Sequence, residues 1–275
     1  MRLLLALALL TASAHAAAGF DRTLAVSSTP DVYVATGSGH IHVFPGPDTG
    51  IHVRAHVYSN WHFGSDVDQR IRRIEANPPI QQNGNQVRIG DTSAGDRGLF
   101  NNISIDYEIA APQGSTLNLH SGSGDIEVDD VGRLLKADTG SGSLRAVGIA
   151  GQADLHTGSG DIYLEQRAKG EVRAITGSGS VQIRDFNGNL TARTGSGNID
   201  ASGNLVGPAN LQSGSGSIHL NPGAGAHYSV DASSGSGSIR VAGQNEPHHS
   251  QVSREINGGG PHVEIRTGSG SITVD

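Results

Sequence analysis

The sequence predicts an all-β protein, a parallel β-solenoid (β-helix-like) of about eight 18–19-residue coils with a β-rich N-terminal cap containing one short helix. The first observation is the tetrapeptide Thr/Ser-Gly-Ser-Gly, which occurs nine times. From the motif at Gly122 to the motif at Gly235, six successive spacings run 18, 18, 19, 18, 19 and 21 residues. The second is that aliphatic and polar residues alternate on both sides of each motif, as in strands with one buried face. A disordered glycine-rich chain would keep neither pattern.

Residues 1–16 are predicted to form a signal peptide. Arg2 supplies a positive charge, and Leu3–Leu10 form an apolar run that is too short to span a bilayer. Ala14-His15-Ala16 then offers small residues for cleavage after Ala16, with Ala18 as the alternative. No later stretch is apolar enough for a membrane anchor, and no cysteine is present for a lipid or a disulfide. We therefore expect an exported protein, periplasmic or extracellular, without a membrane anchor.

The charge balance excludes one class of function. The formal net charge is −7 at pH 7, and removal of the leader with Arg2 makes it one unit more negative. Lysine and arginine are dispersed along the chain and form no basic patch, so we expect no nucleic-acid partner.

Residues 17–110 are predicted to form the β-rich cap. The run Asp66–Glu75 places Val67, Ile71 and Ile74 on one helical face and predicts the short helix. Alternating patterns predict strands at Ile41–Val43, Ile51–Val57, Gln86–Ile89 and Ile103–Ile109.

Residues 111–275 are predicted to form the stacked coils, with a polar insertion loop at 244–261. Two residues after the second glycine of each motif stands an aliphatic residue, from Ile41 in the first motif to Ile272 in the ninth. Val263–Val274 is expected to be the last coil. One such coil cannot bury its own apolar face, whereas a stack of coils can.

The motif itself predicts the chemistry of a corner. A threonine or serine precedes the first glycine every time, and we expect its hydroxyl to bond corner amides or the neighbouring coil. The glycines are expected to allow positive φ at the corner. Recognition should then lie on the cap or on outward residues such as Glu127, Tyr163, Gln182 and Arg240.

Histidine suggests a metal site. If Pro45–Gly50 forms a hairpin turn, His40, His42, His52 and His56 would cluster on its exposed face and could bind zinc, copper or nickel. Exposed strand histidines are commonly simple polar residues, however, and the sequence offers no Asp or Cys that completes this set.

Two other site chemistries receive less support. Asp125 and Asp161 follow their motifs directly, yet a calcium β-roll needs aspartate in turn after turn. A polysaccharide-active enzyme needs carboxylates clustered in one groove, whereas here they are spread over the repeats. We expect no catalytic residues and no cofactor.

Three features of the sequence resemble one known family. They are the recurring TGSGDI and TGSGSI motifs, the Asn102–Tyr107 strand that leads to Ala111-Pro112, and Ile256–Gly260 before the last motif. In these features the whole mature chain resembles the bacterial "putative adhesin" family, a domain of unknown function in exported or membrane-tethered proteins. The resemblance implies a β-helix-like domain with a role at the cell surface or envelope, and it implies no particular ligand.

The leading hypothesis is a non-catalytic exported module of the cell envelope or medium that binds a surface, matrix or glycan partner. A polysaccharide-active β-helix enzyme and a periplasmic metal-binding module are the alternatives. The ligand and the oligomeric state stay open at this point.

Overall fold

The computed structural model describes residues 18–59, 65–90, 98–246 and 251–275, so the predicted signal peptide lies outside the described residues. Within this range the all-β solenoid is confirmed. Two long sheets of 13 and 12 strands, mostly parallel in their pairing, share one hydrophobic core. No helix in the described ranges has the length and apolarity that a bilayer span requires.

The N-terminal part contains the predicted strands and the predicted helix. Its elements are β1 (Gly19–Ala25), β2 (Asp31–Thr36), β3 (Ile41–Pro45), β4 (Gly50–Tyr58), α1 (Ser65–Ala76), β5 (Ile80–Asn83), β6 (Gln86–Gly90) and β7 (Ser104–Ala111).

The repeat region alternates strands of the two sheets. Its in-order strands are β8 (Thr116–Ser121), β9 (Ile126–Asp129), β10 (Leu134–Thr139), β11 (Leu144–Ile149), β12 (Gln152–Thr157), β13 (Ile162–Gln166), β14 (Val172–Thr176), β15 (Val181–Asn187), β16 (Leu190–Thr194), β17 (Ile199–Asn204), β18 (Ala209–Ser213) and β19 (Ile218–Asn221). The C-terminal strands are β20 (Tyr228–Ser236), β21 (Ile239–Val241), β22 (Gln244–Glu246), β23 (Gln251–Ile256), β24 (His262–Ser269) and β25 (Ile272–Val274).

Each Thr/Ser-Gly-Ser-Gly motif joins one strand of the 12-stranded sheet to one strand of the 13-stranded sheet, and together they form a coil. The first coil, β2–β3, stacks directly on the second, β8–β9, with Val32 opposite Leu117 and Ile41 opposite Ile126. The range predicted to be the cap therefore contains one complete coil. β5 and β6 extend the 12-stranded sheet beyond it, and β1, β4 and β7 extend the other sheet.

The C-terminal coil does not end the stack, which corrects the expected position of Val263–Val274. β24 lies between β18 and β20, and β25 lies between β19 and β21. The range 244–261 supplies the edges at this end, because β22 pairs antiparallel with β21 and β23 pairs antiparallel with β20.

The motif glycines serve close packing of successive coils, which corrects the expectation of positive φ. A Cβ at Gly160 would lie 1.9 Å from the carbonyl oxygen of Gly142, and a Cβ at Gly142 would lie 2.1 Å from that of Gly124. Among the motif glycines only Gly237 has a positive φ. At these stacked glycines the corner backbones therefore lie too close together to leave room for a side chain.

The Thr or Ser hydroxyls that begin the successive motifs form a column, which we call the hydroxyl column. They hydrogen-bond corner amides, as predicted. The Thr157 hydroxyl donates to the carbonyl oxygen of Gly142 at 2.7 Å and accepts from the amide of Gly160 at 3.1 Å. The column follows the spatial order of the coils: Thr267 donates to Gly216, and Ser234 donates to Gly270. This buried hydrogen bonding links each coil to the next.

Candidate binding surface

The outward face of the 13-stranded sheet carries a continuous row of side chains. In β13, Ile162 and Leu164 point inward and are buried, so Tyr163 between them points outward. In-register pairing aligns Tyr163 with one outward residue on every strand of the 13-stranded sheet except β22. We call these residues the central row: Asp21, Arg54, Glu108, His42, Glu127, Arg145, Tyr163, Gln182, Asp200, His219, Thr273 and Arg240.

The central row is long, because eleven strand spacings of about 4.8 Å give a length of about 50 Å. It includes all four outward residues that the sequence predicted for recognition, Glu127, Tyr163, Gln182 and Arg240. The structure thus places them on one face and in one line.

Contacts with carboxylates orient an arginine and a histidine near the two ends of the central row. Arg54 lies between Asp21 at 3.8 Å and Glu108 at 3.4 Å. At the other end His219 lies between Asp200 at 3.7 Å and Asp275 at 2.7 Å. Such exposed pairs add little stability, but they orient the side chains that a partner would meet.

The middle of the row presents an aromatic ring beside an amide. The Arg145 guanidinium lies 5.4 Å from the centre of the Tyr163 ring, and the Tyr163 hydroxyl donates to Glu165 at 3.3 Å. Gln182 lies directly opposite Tyr163 on β15, and Arg184 lies opposite Glu165. We call Arg145, Tyr163, Gln182, Glu165 and Arg184 the central patch. It joins a ring face to groups that donate and accept hydrogen bonds.

The structure does not bring the four candidate histidines together. The predicted hairpin is not formed, because β7 lies between β3 and β4 and pairs with both. His40 lies 3.8 Å from Asp125, His52 lies 3.2 Å from Asp21, and the His56 ring stacks on Tyr58.

His42 is different, because it lies beside two carboxylates that sequence reasoning did not connect with it. Its Nε2 lies 3.1 Å from Oδ2 of Asp129. Glu127 lies opposite His42 on β9, and one ligand atom from each of the three side chains lies within 4.8 Å of the others. Alignment of the first motif with the second places His42 against Glu127, so the sequence did contain this signal.

The aspartates that follow the motifs bond the backbone. Asp125 accepts from the amide of Ser143 at 2.7 Å, and Asp161 accepts from the amide of Ser180 at 2.8 Å. Each carboxylate therefore ties its coil to the next one in the stack. This is a structural role.

His248 and His249, the two histidines of the range 244–261, lie outside the described residues.

The opposite face, on the 12-stranded sheet, offers a comparable tyrosine. Arg88 lies 5.2 Å from the centre of the Tyr33 ring. A shallow cavity of about 240 Å³ beside them is lined by Asp31, Thr116 and Asn118 as well. A larger cavity of about 440 Å³ lies beyond the first corner, between Gly37 and residues 100–107.

Two tyrosines at opposite ends of the molecule have a raised pKa. Burial raises the pKa of Tyr228, and the nearby charge of Asp275 adds to the effect. Burial also raises the pKa of Tyr58, together with the charge of Asp106 and a hydrogen bond to it.

Known proteins agree with this architecture. The sequence matches the family described as Toastrack DUF4097 over residues 65–275, and the chain belongs to that family. None of the curated proteins matches the sequence.

Among solved structures, a "putative lipid binding protein" from Parabacteroides distasonis is 13% identical with a TM-score of 0.51, over 93% of this chain and 96% of that one. A "putative cell adhesion protein" from Clostridium sporogenes is 14% identical with a TM-score of 0.33, over 93% and 98%. A "putative adhesin" from Parabacteroides distasonis is 11% identical with a TM-score of 0.40, over 93% and 96%. At 13% identity, the likeness to the first of these three structures concerns the fold alone.

Proposed function

We propose that the protein is an exported, non-catalytic module that binds an extended polysaccharide of a cell surface or matrix along the central row. The observation that carries the proposal is the arrangement of the central row. A polymer laid across the strands would meet one outward side chain every 4.8 Å or so. Export is supported by the leader pattern of residues 1–16.

The central patch is the point at which we expect the tightest contact. A tyrosine offers a sugar ring an apolar face and a hydroxyl at little cost in conformational entropy. The stacked Arg145 and the bond to Glu165 hold the Tyr163 ring in place. Gln182 and Arg184 beside it supply the hydrogen-bond donors and acceptors that fix the orientation of a polar ligand.

Retention of the purified protein on peptidoglycan, on bacterial surface polysaccharides and on matrix glycans tests the proposal. We expect retention on at least one of these polymers. We expect Tyr163→Ala to weaken it up to about tenfold, since an aromatic contact is worth about 0.5–1.5 kcal/mol beyond its buried area. Tyr33→Ala is the matched control, because Tyr33 is also an outward tyrosine beside an arginine but lies on the other sheet.

Three outcomes contradict the proposal. One is no retention on any polymer, and another is a loss with Tyr33→Ala but not with Tyr163→Ala, which would move the binding face to the 12-stranded sheet. The third is release of soluble oligosaccharides from the retained polymer, which would favour the polysaccharide-active enzyme.

A further inference from the structure

We propose that His42, Glu127 and Asp129 bind one divalent transition-metal ion, with Zn²⁺ as the clearest probe. We call these three residues the His42 site. They lie on β3 and β9, which pair in register, with Ile41 opposite Ile126 on the buried side. Both strands have a further strand on their other side, so the scaffold of the site is central in the sheet.

The charges around His42 favour a cation at this position. His42 lies between Glu108 and Glu127 in the central row, and Asp129 lies 3.1 Å from its Nε2. Each glutamate has an arginine on the side away from His42: Arg54 lies 3.4 Å from Glu108, and Arg145 lies 3.4 Å from Glu127. Three carboxylates therefore lie on positions around His42, and two arginines lie farther out.

The neighbour of Asp129 on β11 is Val147, which offers its carboxylate no partner on that side. The carboxylate faces His42 instead. A metal ion in the space between His42, Glu127 and Asp129 would neutralise the excess of negative charge.

The donor set determines which ions fit. One imidazole nitrogen and two carboxylate oxygens suit zinc, manganese, nickel or copper, whereas calcium prefers six to eight oxygen ligands. The side chains of His42, Asp129 and Glu127 are 38%, 34% and 44% exposed. The site therefore faces solvent, and its other coordination positions are open to water or to a group on a bound partner.

Two other histidines provide a contrast, one on the same sheet as His42 and one on the 12-stranded sheet. His52 with Asp21, and His156 with Asp138, are also histidine–aspartate pairs across neighbouring strands. In the described residues, however, only the His42 site brings three such ligands within reach of one ion. These pairs are the natural controls, because they share the chemistry of the His42 site but lack its third ligand.

Calorimetric titration of the mature protein with ZnCl₂ tests the proposal. We expect one site with a dissociation constant in the micromolar range and no comparable binding of CaCl₂. His42→Ala and Asp129→Asn should each weaken Zn²⁺ binding at least tenfold. His52→Ala and His156→Ala should leave it unchanged. The thermal unfolding of each variant without metal shows whether a loss of binding reflects a loss of fold.

Three results would overturn the proposal. The first is absence of Zn²⁺ binding to the wild-type protein. The second is equal loss of affinity with His42→Ala and His52→Ala, which would indicate dispersed surface histidines. The third is Ca²⁺ binding as tight as Zn²⁺ binding, which would indicate an unspecific acidic surface. The polysaccharide test uses Tyr163, two strands away, so the two proposals fail independently.

Discussion

The coils between β8 and β19 and the coils at the C-terminal end use the same motif but are assembled in different ways. From β8 to β19 every coil stacks on the coil that precedes it in sequence. At the C-terminal end the order is reversed, because residues 262–275 lie between 209–221 and 228–241. The in-order coils can form as the chain grows. The C-terminal coils can pair fully only when the last residues of this sequence are in place.

The connection into the final coil shows how this order is achieved. Residues 257–261 pass the start of β20, so that β23 lies on one side of β20 and β24 on the other. Asn257, Gly258 and Gly259 all have positive φ, and the side-chain amide of Asn257 donates to the carbonyl oxygen of Ala226 at 2.8 Å. This tight turn directs the final coil back into the stack.

Two deletions of equal length should separate the two regions most strongly. Removal of residues 140–157 takes out one in-order coil and joins Thr139 to Gly158, which preserves the register of the stack. We expect a folded protein with a lower melting temperature. Removal of residues 258–275 leaves β18 and β20 without the strand between them, and we expect an aggregated or unfolded chain.

Circular dichroism, thermal unfolding and gel filtration of both deletion variants check this prediction. If the variant without 258–275 is monomeric and as stable as the variant without 140–157, the stack does not need the C-terminal coil in order to fold.

A glycine substitution sharpens the comparison between a stacked corner and the corner at the end of the stack. Gly158 and Gly37 are both the first glycine of a motif. A Cβ at Gly158 would lie 2.3 Å from the carbonyl oxygen of Gly140, whereas a Cβ at Gly37 would meet nothing within 4 Å. We expect Gly158→Ala to cost about 2–3 kcal/mol by overpacking and Gly37→Ala to change stability by less than about 0.5 kcal/mol. Chemical denaturation measures both, and equal costs would show that close stacking is not the reason for the glycine.

The periodic features of this fold were predictable, because they are local. The alternation around the motifs predicted the strands, and the spacing of Val67, Ile71 and Ile74 predicted α1, which the structure confirms at Ser65–Ala76. The hydroxyl column followed from its position as the first residue of each motif. Each of these depends only on neighbours in sequence.

The order of the coils and the neighbours of β3 were not predictable in the same way. Every coil offers the same aliphatic pattern to its neighbours, so the pattern does not specify which coil lies next to which. The turn after β3 looked like a hairpin, but Gly46 packs against β7 instead: its amide donates to the carbonyl oxygen of Ala111 at 2.8 Å. Alignment of the first two motifs places Glu127 opposite His42 only if their coils are stacked on each other, and the pattern alone does not specify that stacking. Only the histidine of the His42 site was therefore predicted.

Substitutions in the hydroxyl column compare the same two regions through a smaller expected change in the free energy of unfolding. Thr157 is fully buried and both donates and accepts a hydrogen bond. Thr267 in the C-terminal coil is also buried and donates to Gly216 at 2.7 Å. Since an unsatisfied buried group costs about 1–3 kcal/mol, we expect Thr157→Val to cost about 2 kcal/mol and Thr267→Val about 1 kcal/mol. Thr157→Ser retains the hydroxyl and is the control; a serine variant as unstable as the valine variant would argue for packing instead.

The smallest effect concerns alkaline pH and compares Tyr228 in the C-terminal region with Tyr58 in the cap. Both have a pKa raised above the usual value of 10.0, because burial and a nearby aspartate disfavour the phenolate. The unfolded chain therefore loses these protons first as the pH rises. The stabilisation is complete below pH 10 and is lost as the pH rises through the higher pKa of the folded state.

Phenylalanine at either position removes this titration. We expect the melting temperature of Tyr228→Phe to fall less than that of the wild type between pH 9 and pH 11, the range of about one unit on either side of the tyrosine pKa. Tyr58→Phe should show the same change to a smaller extent, because Tyr228 is 1% exposed whereas Tyr58 is only half-buried. Melting curves at both pH values measure the difference. If the melting temperature of both variants falls with pH as steeply as that of the wild type, other groups govern alkaline unfolding. If the effect is larger for Tyr58→Phe, the cap is the end of the solenoid whose stability depends more on alkaline pH.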